Sequence, residues 1–323
     1  MTGSPPVVDA HAHVWEERGW RAEATWRDFA GTWAALSRRT FPDPAATRAA
    51  FEREAVPLLV DPGGERLFAE MDAAGIGHCV IMNVDLGVAV GESPVPWRQQ
   101  WQRLAELSAA HAGRLLLVPG IDPRRPDAAA MLRAAAREWR VRGVKLWPPA
   151  GFTAHDEICR PVYEAARDLG LPVVVHSAFA PPPYLAKYAE PLYLDAAAVA
   201  FPDVTFVMAH VGPGLGWYRD AVAVATTKPN VYLEFSMWQG VGDVDPATVA
   251  EAVTFMRDRV GANRLLFGTD RTGLPLRRSV AEWVDQFRSL PVTARAHGYE
   301  LSDAEAAMII GGNAARLFDI GTT

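Results

Sequence analysis

The chain has 323 residues, 50% of them hydrophobic and 22% charged, which is an ordinary globular composition. A formal net charge of −6 and a pI of about 5.8 argue against nucleic acid or an anionic membrane as a partner. There is no run of about 18 apolar residues and no basic N-terminal region followed by an apolar one, so a cytoplasmic protein without membrane span or signal peptide is expected.

The first strand is expected at about residues 6–11, in the run Val7-Val8-Asp9-Ala10-His11-Ala12-His13. Residues 14–60 then break the rhythm with Trp15, Trp20, Trp26 and Trp33, the pair Arg38-Arg39 and the turn Phe41-Pro42-Asp43-Pro44. A strand-to-helix loop usually takes about 2–6 residues. This segment is therefore expected to form short helices folded over one end of the domain, as a packing unit or as a wall for substrate. Gly64 to Gly75 reads as a helix, with Leu67, Phe68, Met71 and Ala74 at helical spacing. Strands follow at Gly77–Val84, Arg114–Val118, Gly143–Trp147, Leu171–His176, Val204–His210, Asn230–Ser236 and Arg264–Gly268. Helices are expected between them at Pro96–His111, Pro126–Trp139, Asp156–Leu169, Pro191–Ala200, Trp217–Thr226 and Pro246–Val260, and helices near 277–289 and 303–318 close the chain. Continuous apolar runs suit strands buried on both faces of a parallel sheet. Eight of them alternating with helices predict an α/β fold, a single (β/α)8 TIM barrel over residues 1–323.

The polar residues sit at informative places. His11, Lys145, His176, His210 and Asp270 each fall at or just beyond the C-terminal end of a predicted strand, with His13 just after the first. That end of a barrel carries the active site. His11 and His13 are two apart, so they share one face of a strand, and a divalent metal is a partner that serves two neutral imidazoles at once. The competing reading is a set of satisfied or exposed polar residues. Trp147, Phe179, Tyr184, Trp217 and Trp238 follow strands four to seven and are candidates for an aromatic pocket wall, each with core packing as its alternative. Arg271 could bind an anion. Asn313 and Arg316 read as fasteners of the last helix. Cys79 and Cys159 permit one disulfide by arithmetic, but nothing suggests a secreted framework, and they read as buried or partly buried thiols.

The motifs Asp9-Ala10-His11-Ala12-His13, Gly143-Val144-Lys145-Leu146, Val175-His176-Ser177, Ala209-His210-Val211-Gly212, Phe267-Gly268-Thr269-Asp270 and Gly312-Asn313-Ala314-Ala315-Arg316-Leu317-Phe318 resemble the amidohydrolase superfamily. More narrowly, they resemble its amidohydrolase-2 branch, with the aminocarboxymuconate-semialdehyde decarboxylase-like enzymes. The resemblance runs from first strand to last helix and is weakest over 14–60. It implies one divalent metal, usually zinc, on His11, His13, His176 and Asp270. It gives His210 the place of a general acid/base or second-site residue, with Asp270 sharing the proton work. For Lys145 it leaves three roles: a substrate-holding charge, a salt bridge to an acid such as Glu234, or, less favoured, a carboxylated bridge to a second metal.

The expected activity is metal-dependent hydrolysis of a C–N or C–O bond (amide, ester or lactone) in a small organic substrate. A metal with an open position lowers the pKa of bound water to about 7. The alternative on the same scaffold is a non-oxidative decarboxylase of an aromatic or unsaturated acid. A ligand-binding barrel with a structural metal, or none, is the rival from another class. Segment 14–60 could also serve a homodimer interface.

Overall fold

The computed structural model describes residues 6–111, 113–212, 216–241, 245–271 and 277–321. Eight short parallel strands alternate with helices: β1 (Val7–Ala12), β2 (Ile76–Met82), β3 (Leu115–Val118), β4 (Val144–Leu146), β5 (Val173–His176), β6 (Phe206–Ala209), β7 (Val231–Glu234) and β8 (Leu265–Leu266). They run as β1-β2-β3 and as β4-β5-β6-β7-β8. Backbone bridges span both seams. Lys145 N donates to Pro119 O at 2.8 Å and Ile121 N to Lys145 O at 3.0 Å, joining β3 to β4. Ala10 N donates to Phe267 O at 3.0 Å, and Ala12 bridges Arg271, joining β8 to β1. The chain is a TIM barrel. β1 keeps its expected length, shifted by one residue, and β2 to β8 are each a residue or more shorter than the expected run, because pairing stops where the chain turns into the loops.

Alternation along the strands sorts the core into two layers. Val8, Ala10, Val80, Met82, Leu116, Val118, Val174, Val207, Ala209 and Leu266 fill the barrel interior, with Ala314 and Phe318 packed against them. Val144, Leu146, Val173, Val175, Phe206, Met208, Val231 and Leu233 face outward into the layer shared with the helices. Capping residues set several helix starts. Asp43 accepts from Ala46 N at 2.8 Å with Pro44 in the first turn, Asp245 accepts from Ala247 N at 3.0 Å before Pro246, and Ser279 and Ser302 form capping boxes with Glu282 and Glu305.

Segment 14–60 folds into α1 (Glu23–Leu36), α2 (Pro44–Glu54) and α3 (Val56–Leu59). These bury their own apolar cluster of Trp26, Ala30, Trp33, Ala34, Ala50, Phe51, Ala55, Val56 and Leu59. At the far end of the chain Asn313 Nδ2 donates to Ala262 O at 2.7 Å and Leu265 O at 2.8 Å, and Arg316 Nη2 to Asn263 O at 2.8 Å. The last helix is thereby tied to the entry of β8. Cys79 and Cys159 are free, buried thiols. Among the described residues no helix is long and apolar enough to cross a membrane.

Candidate active site

Strict alternation does not by itself deliver the polar residues to the interior. On β1 the inward positions are Val8 and Ala10, so His11 should point out. The β1–β2 register shifts between Asp9 and Ala12, and beyond that irregularity His11 and His13 face inward while Ala12 joins the outer layer. On β6 the outward positions are Phe206 and Met208, which would send His210 outward too. Its backbone takes a left-handed φ of 72° and turns the side chain into the barrel mouth. Asp270 (φ 55°) and Met237 (φ 68°) do the same. These three non-glycine residues in a costly backbone region all line one cavity. Lys145 and His176 need no such device, since they share a face with inward positions on their strands.

His11, His210 and Asp270 each offer a ligand atom, and these atoms lie within 4.8 Å of one another. His11 Nε2 is 3.6 Å from Asp270 Oδ1. His13 adjoins this group, with Nε2 3.1 Å from the same Oδ1 and Nδ1 2.6 Å from Met82 O. The His176 ring centroid is 4.7 Å from that of His210, and its Nε2 lies 3.2 Å from Phe179 O. The tight donor group thus includes His210, expected as a general acid/base or second metal-site residue, with His13 and His176 at its edge.

Glu234 organises the group from below. Its Oε2 lies 3.0 Å from His11 Nδ1, 2.7 Å from Ser236 Oγ and 3.2 Å from His210 N, and Ser236 N donates to Oε1. Burial, the largest influence, raises the Glu234 pKa to about 8, whereas the two backbone N–H groups that necessarily donate to this carboxylate favour its ionised form. In that ionised form Glu234 accepts from His11 Nδ1–H. Ser236, having donated its hydroxyl hydrogen to Glu234, accepts from His210 Nδ1–H at 2.7 Å. Both imidazoles are then left with a bare Nε2 lone pair. In this tautomer His210 can ligate a cation or take up a proton. Burial drives the pKa values of His11 and His210 well below the usual range and His176 to about 3, so all three are neutral at pH 7. Buried neutral imidazoles together with one carboxylate are the donor chemistry that suits a divalent cation.

Two further buried groups belong to the floor. Asp9 accepts from His11 N at 3.1 Å, Thr269 N at 3.0 Å and Thr269 Oγ1 at 2.6 Å, so it ties the first histidine to the loop carrying Asp270; burial raises its pKa to about 7. Lys145, 1% exposed, has Nζ 3.5 Å from His11 Nε2. No carboxylate lies within 4 Å of Nζ among the described residues, so the salt bridge to Glu234, one of the three roles open to it from sequence, is not formed, and burial lowers the lysine's pKa.

Above this floor opens a cavity of about 140 Å³. His13, Lys145, His176, His210 and Asp270 line its base, and Trp147, Phe179, Pro181, Tyr184, Val84, Leu86 and Met237 line its sides. Segment 14–60 supplies the rest through Trp15, Arg21, Thr25, Trp26, Phe29, Thr32 and Leu36, so it is both a packing unit and a wall. Two residues expected at the wall, Trp238 and Trp217, and the candidate anion-binding residue Arg271 lie elsewhere. Trp238 is fully buried against Phe235 and Tyr218 and donates Nε1–H to His210 O at 2.8 Å, which supports the left-handed turn from behind. Arg271 is ion-paired with Glu70. Trp217 begins a helix, and its Cβ occupies the space beside Gly212, outside the cavity lining. Sequence reasoning missed Arg21, Ser236 and the role of Glu234. A charged residue inside the run Val231-Tyr232-Leu233-Glu234-Phe235 was the available signal for the last.

The chain matches the amidohydrolase family (Amidohydro_2) over residues 8–320 and belongs to it. No curated protein matches it in sequence. Among solved structures it is similar to an uncharacterised TIM-barrel protein from Bordetella bronchiseptica (24% identity, 97% of this chain and 98% of that one, TM-score 0.68). It is also similar to 5-carboxyvanillate decarboxylase from Novosphingobium aromaticivorans, complexed with manganese and 4-hydroxy-3-methoxy-5-nitrobenzoic acid (14%, 98% and 96%, 0.66). A third is a putative 2-pyrone-4,6-dicarboxylic acid hydrolase from Pseudomonas putida (19%, 98% and 99%, 0.61). At these identities the likeness carries the fold.

Proposed function

We propose that the chain is a metal-dependent hydrolase opening a C–O or C–N bond (ester, lactone or amide) in a small organic substrate. The observation that carries this reading is the convergence of His11, His210 and Asp270, with His13 and His176 beside them, at the floor of an apolar cavity. A single divalent cation, zinc by the nitrogen-rich donor set, would act as a Lewis acid and make water acidic enough to ionise near neutral pH. Asp270 takes the proton from the attacking water; its Oδ1 lies 3.1 Å from His13 Nε2, which is left without a hydrogen because Nδ1–H donates to Met82 O. His210, with its Nδ1 hydrogen committed to Ser236, offers Nε2 to the cation or as a proton acceptor on the path to the leaving group. Lys145, with Nζ 3.5 Å from His11 Nε2 and no carboxylate within 4 Å among the described residues, places a positive charge where negative charge would develop on the substrate oxygen. A carboxylated Lys145 with a second ion is not needed for this set.

The apolar wall also favours a second reading, decarboxylation of an aromatic or unsaturated acid. There a proton held by Asp270 or His210 would pass to carbon as the carbon–carboxylate bond breaks and CO2 leaves. One experiment separates them. Elemental analysis should find about one divalent ion per chain. Incubation in ¹⁸O-water with aryl esters, lactones, amides and aromatic acids should give labelled hydrolysis products. No bound ion after zinc and manganese are supplied to stripped protein would overturn both readings. Release of CO2 with no labelled product would leave the decarboxylase.

A further inference from the structure

Arg21 is 5% exposed, lies on the cavity wall and has no carboxylate within 4 Å among the described residues. Its guanidinium stacks over Trp15, 4.7 Å from the ring centroid, and Nη1 donates to Val84 O at 2.9 Å. Among the described residues that carbonyl is its one protein acceptor. The next residue, Asp85, would be the natural partner, but it is committed elsewhere. Its oxygens accept from Arg125 Nε at 2.6 Å, Arg125 Nη2 at 2.8 Å and Asp122 N at 3.0 Å. Burial lowers the Arg21 pKa to about 10, which still leaves it a cation at neutral pH. Asp85 acts on the Arg21 charge from beyond pairing distance; a buried charge without a directly paired carboxylate is unfavourable, and most arginines in this chain that approach burial are ion-paired, as Arg125 and Arg271 are.

The neighbours of Arg21 shape a place for an anion. Trp15 fixes the plane of the guanidinium, and Thr25 Oγ1 and Tyr184 Oη, 3.3 Å apart, stand on the same wall. The Trp15 ring packs against both Arg21 and His13, its centroid 6.4 Å from that of His13. Among the described residues Arg21 makes no hydrogen bond or ion pair with the donor group, so the two can hold different parts of one ligand. A cavity of about 140 Å³ is close to the size that takes a benzene-sized ring.

We propose that Arg21 is the specificity-determining residue of this site, and that the substrate is a single-ring or similarly small acid whose carboxylate pairs with the Arg21 guanidinium, away from the bond that reacts. The proposal rests on the cavity being the substrate site; it holds for hydrolysis as it stands, and for decarboxylation where the substrate carries a second carboxylate that is lost as CO2. A planar carboxylate matches the fork of N–H groups that Arg21 leaves unused.

Ligand binding without turnover tests it, so failure of the reaction assignment leaves the result readable. Benzoate and its neutral isostere benzamide are titrated against the intrinsic fluorescence of the wall tryptophans, using protein as purified and protein stripped by chelation. Wild type should prefer benzoate in both forms. Arg21→Leu and Arg21→Gln should each weaken benzoate by about 30-fold or more. Both should leave benzamide within about twofold, and Arg21→Lys should restore part of the preference. Equal binding of the two probes by wild type would overturn the proposal. So would a benzoate preference that survives in both Arg21→Leu and Arg21→Gln, or one that disappears on chelation alone.

Discussion

At the strand ends, buried polar groups are held by other polar groups: Glu234 by Ser236 and His210 N, His13 by Met82 O, Asp9 by Thr269. In α1–α3 the opposite holds. Trp26, Phe29, Trp33 and Phe51 pack ring against ring, with centroids 5.7–6.3 Å apart, and the one charge segment 14–60 brings to the cavity is Arg21, just before α1. The first region fixes protonation states and backbone conformations, and the second fixes shape. Chemistry should therefore fail with any substrate when the strand ends are damaged, whereas changes in α1–α3 should alter which substrate is accepted.

The sharpest way to break this division is at Asp270. Asp270→Ala removes the oxygen shared by His11 and His13, and turnover should fall by about 10³-fold or more with loss of bound metal, read by steady-state kinetics and elemental analysis. His210→Asn should fall in the range of about 10²–10⁴-fold. If that variant keeps its metal, His210 is a proton carrier; if the metal goes as well, it is a ligand, as the tight donor group suggests. Full turnover in either variant would remove that residue from the mechanism.

Glu234→Gln comes next. The amide cannot accept from all four donors that now converge on the carboxylate, so His11 and His210 lose their common tautomer control. Metal affinity should drop by about 10–100-fold while the fold survives. Titration of metal into the stripped variant measures this, and unchanged affinity would mean that Glu234 supports packing alone.

The two regions were unequally legible in the sequence. The apolar runs made all eight strands readable, and the polar residues at their ends pointed to the mouth of the barrel. What alternation could not supply was direction. His11 depends on a register irregularity and His210 on a left-handed backbone, and both arise from pairing with neighbouring strands, which no local pattern encodes. The wall was harder still. Trp147, Phe179 and Tyr184 line the cavity but Trp217 and Trp238 do not, although all five follow strands, because loop residues have no period to sort inside from outside. Arg21 was invisible for a similar reason: only the structure shows that Asp85 is already taken.

Phe51→Ala asks whether α1–α3 can be loosened without touching the chemistry. Phe51 is fully buried among Trp26, Phe29 and Trp33, and truncation should cost about 3–5 kcal/mol. Because the cluster is separate from the barrel interior, bound metal should stay unchanged while KM rises several-fold and kcat changes less. A metal content that falls with KM would mean that the two regions are one cooperative unit.

The smallest effect is expected at Trp217. It was an equal candidate for the wall on sequence position, yet it starts a helix and packs its Cβ beside Gly212, outside the cavity lining. Trp217→Phe keeps an aromatic ring and the same Cβ, so it should alter KM and kcat by less than about twofold and stability by no more than about 0.5 kcal/mol. The informative control is Trp147→Phe. Trp147 stands 5.3 Å from His176 and 4.6 Å from Tyr184 in ring-centroid distance and does line the cavity, so the same substitution there should change KM measurably. Two tryptophans after two strands would then differ in effect because of where their loops turn, and a Trp217 variant as impaired as the Trp147 variant would place the wall on both sides of the mouth.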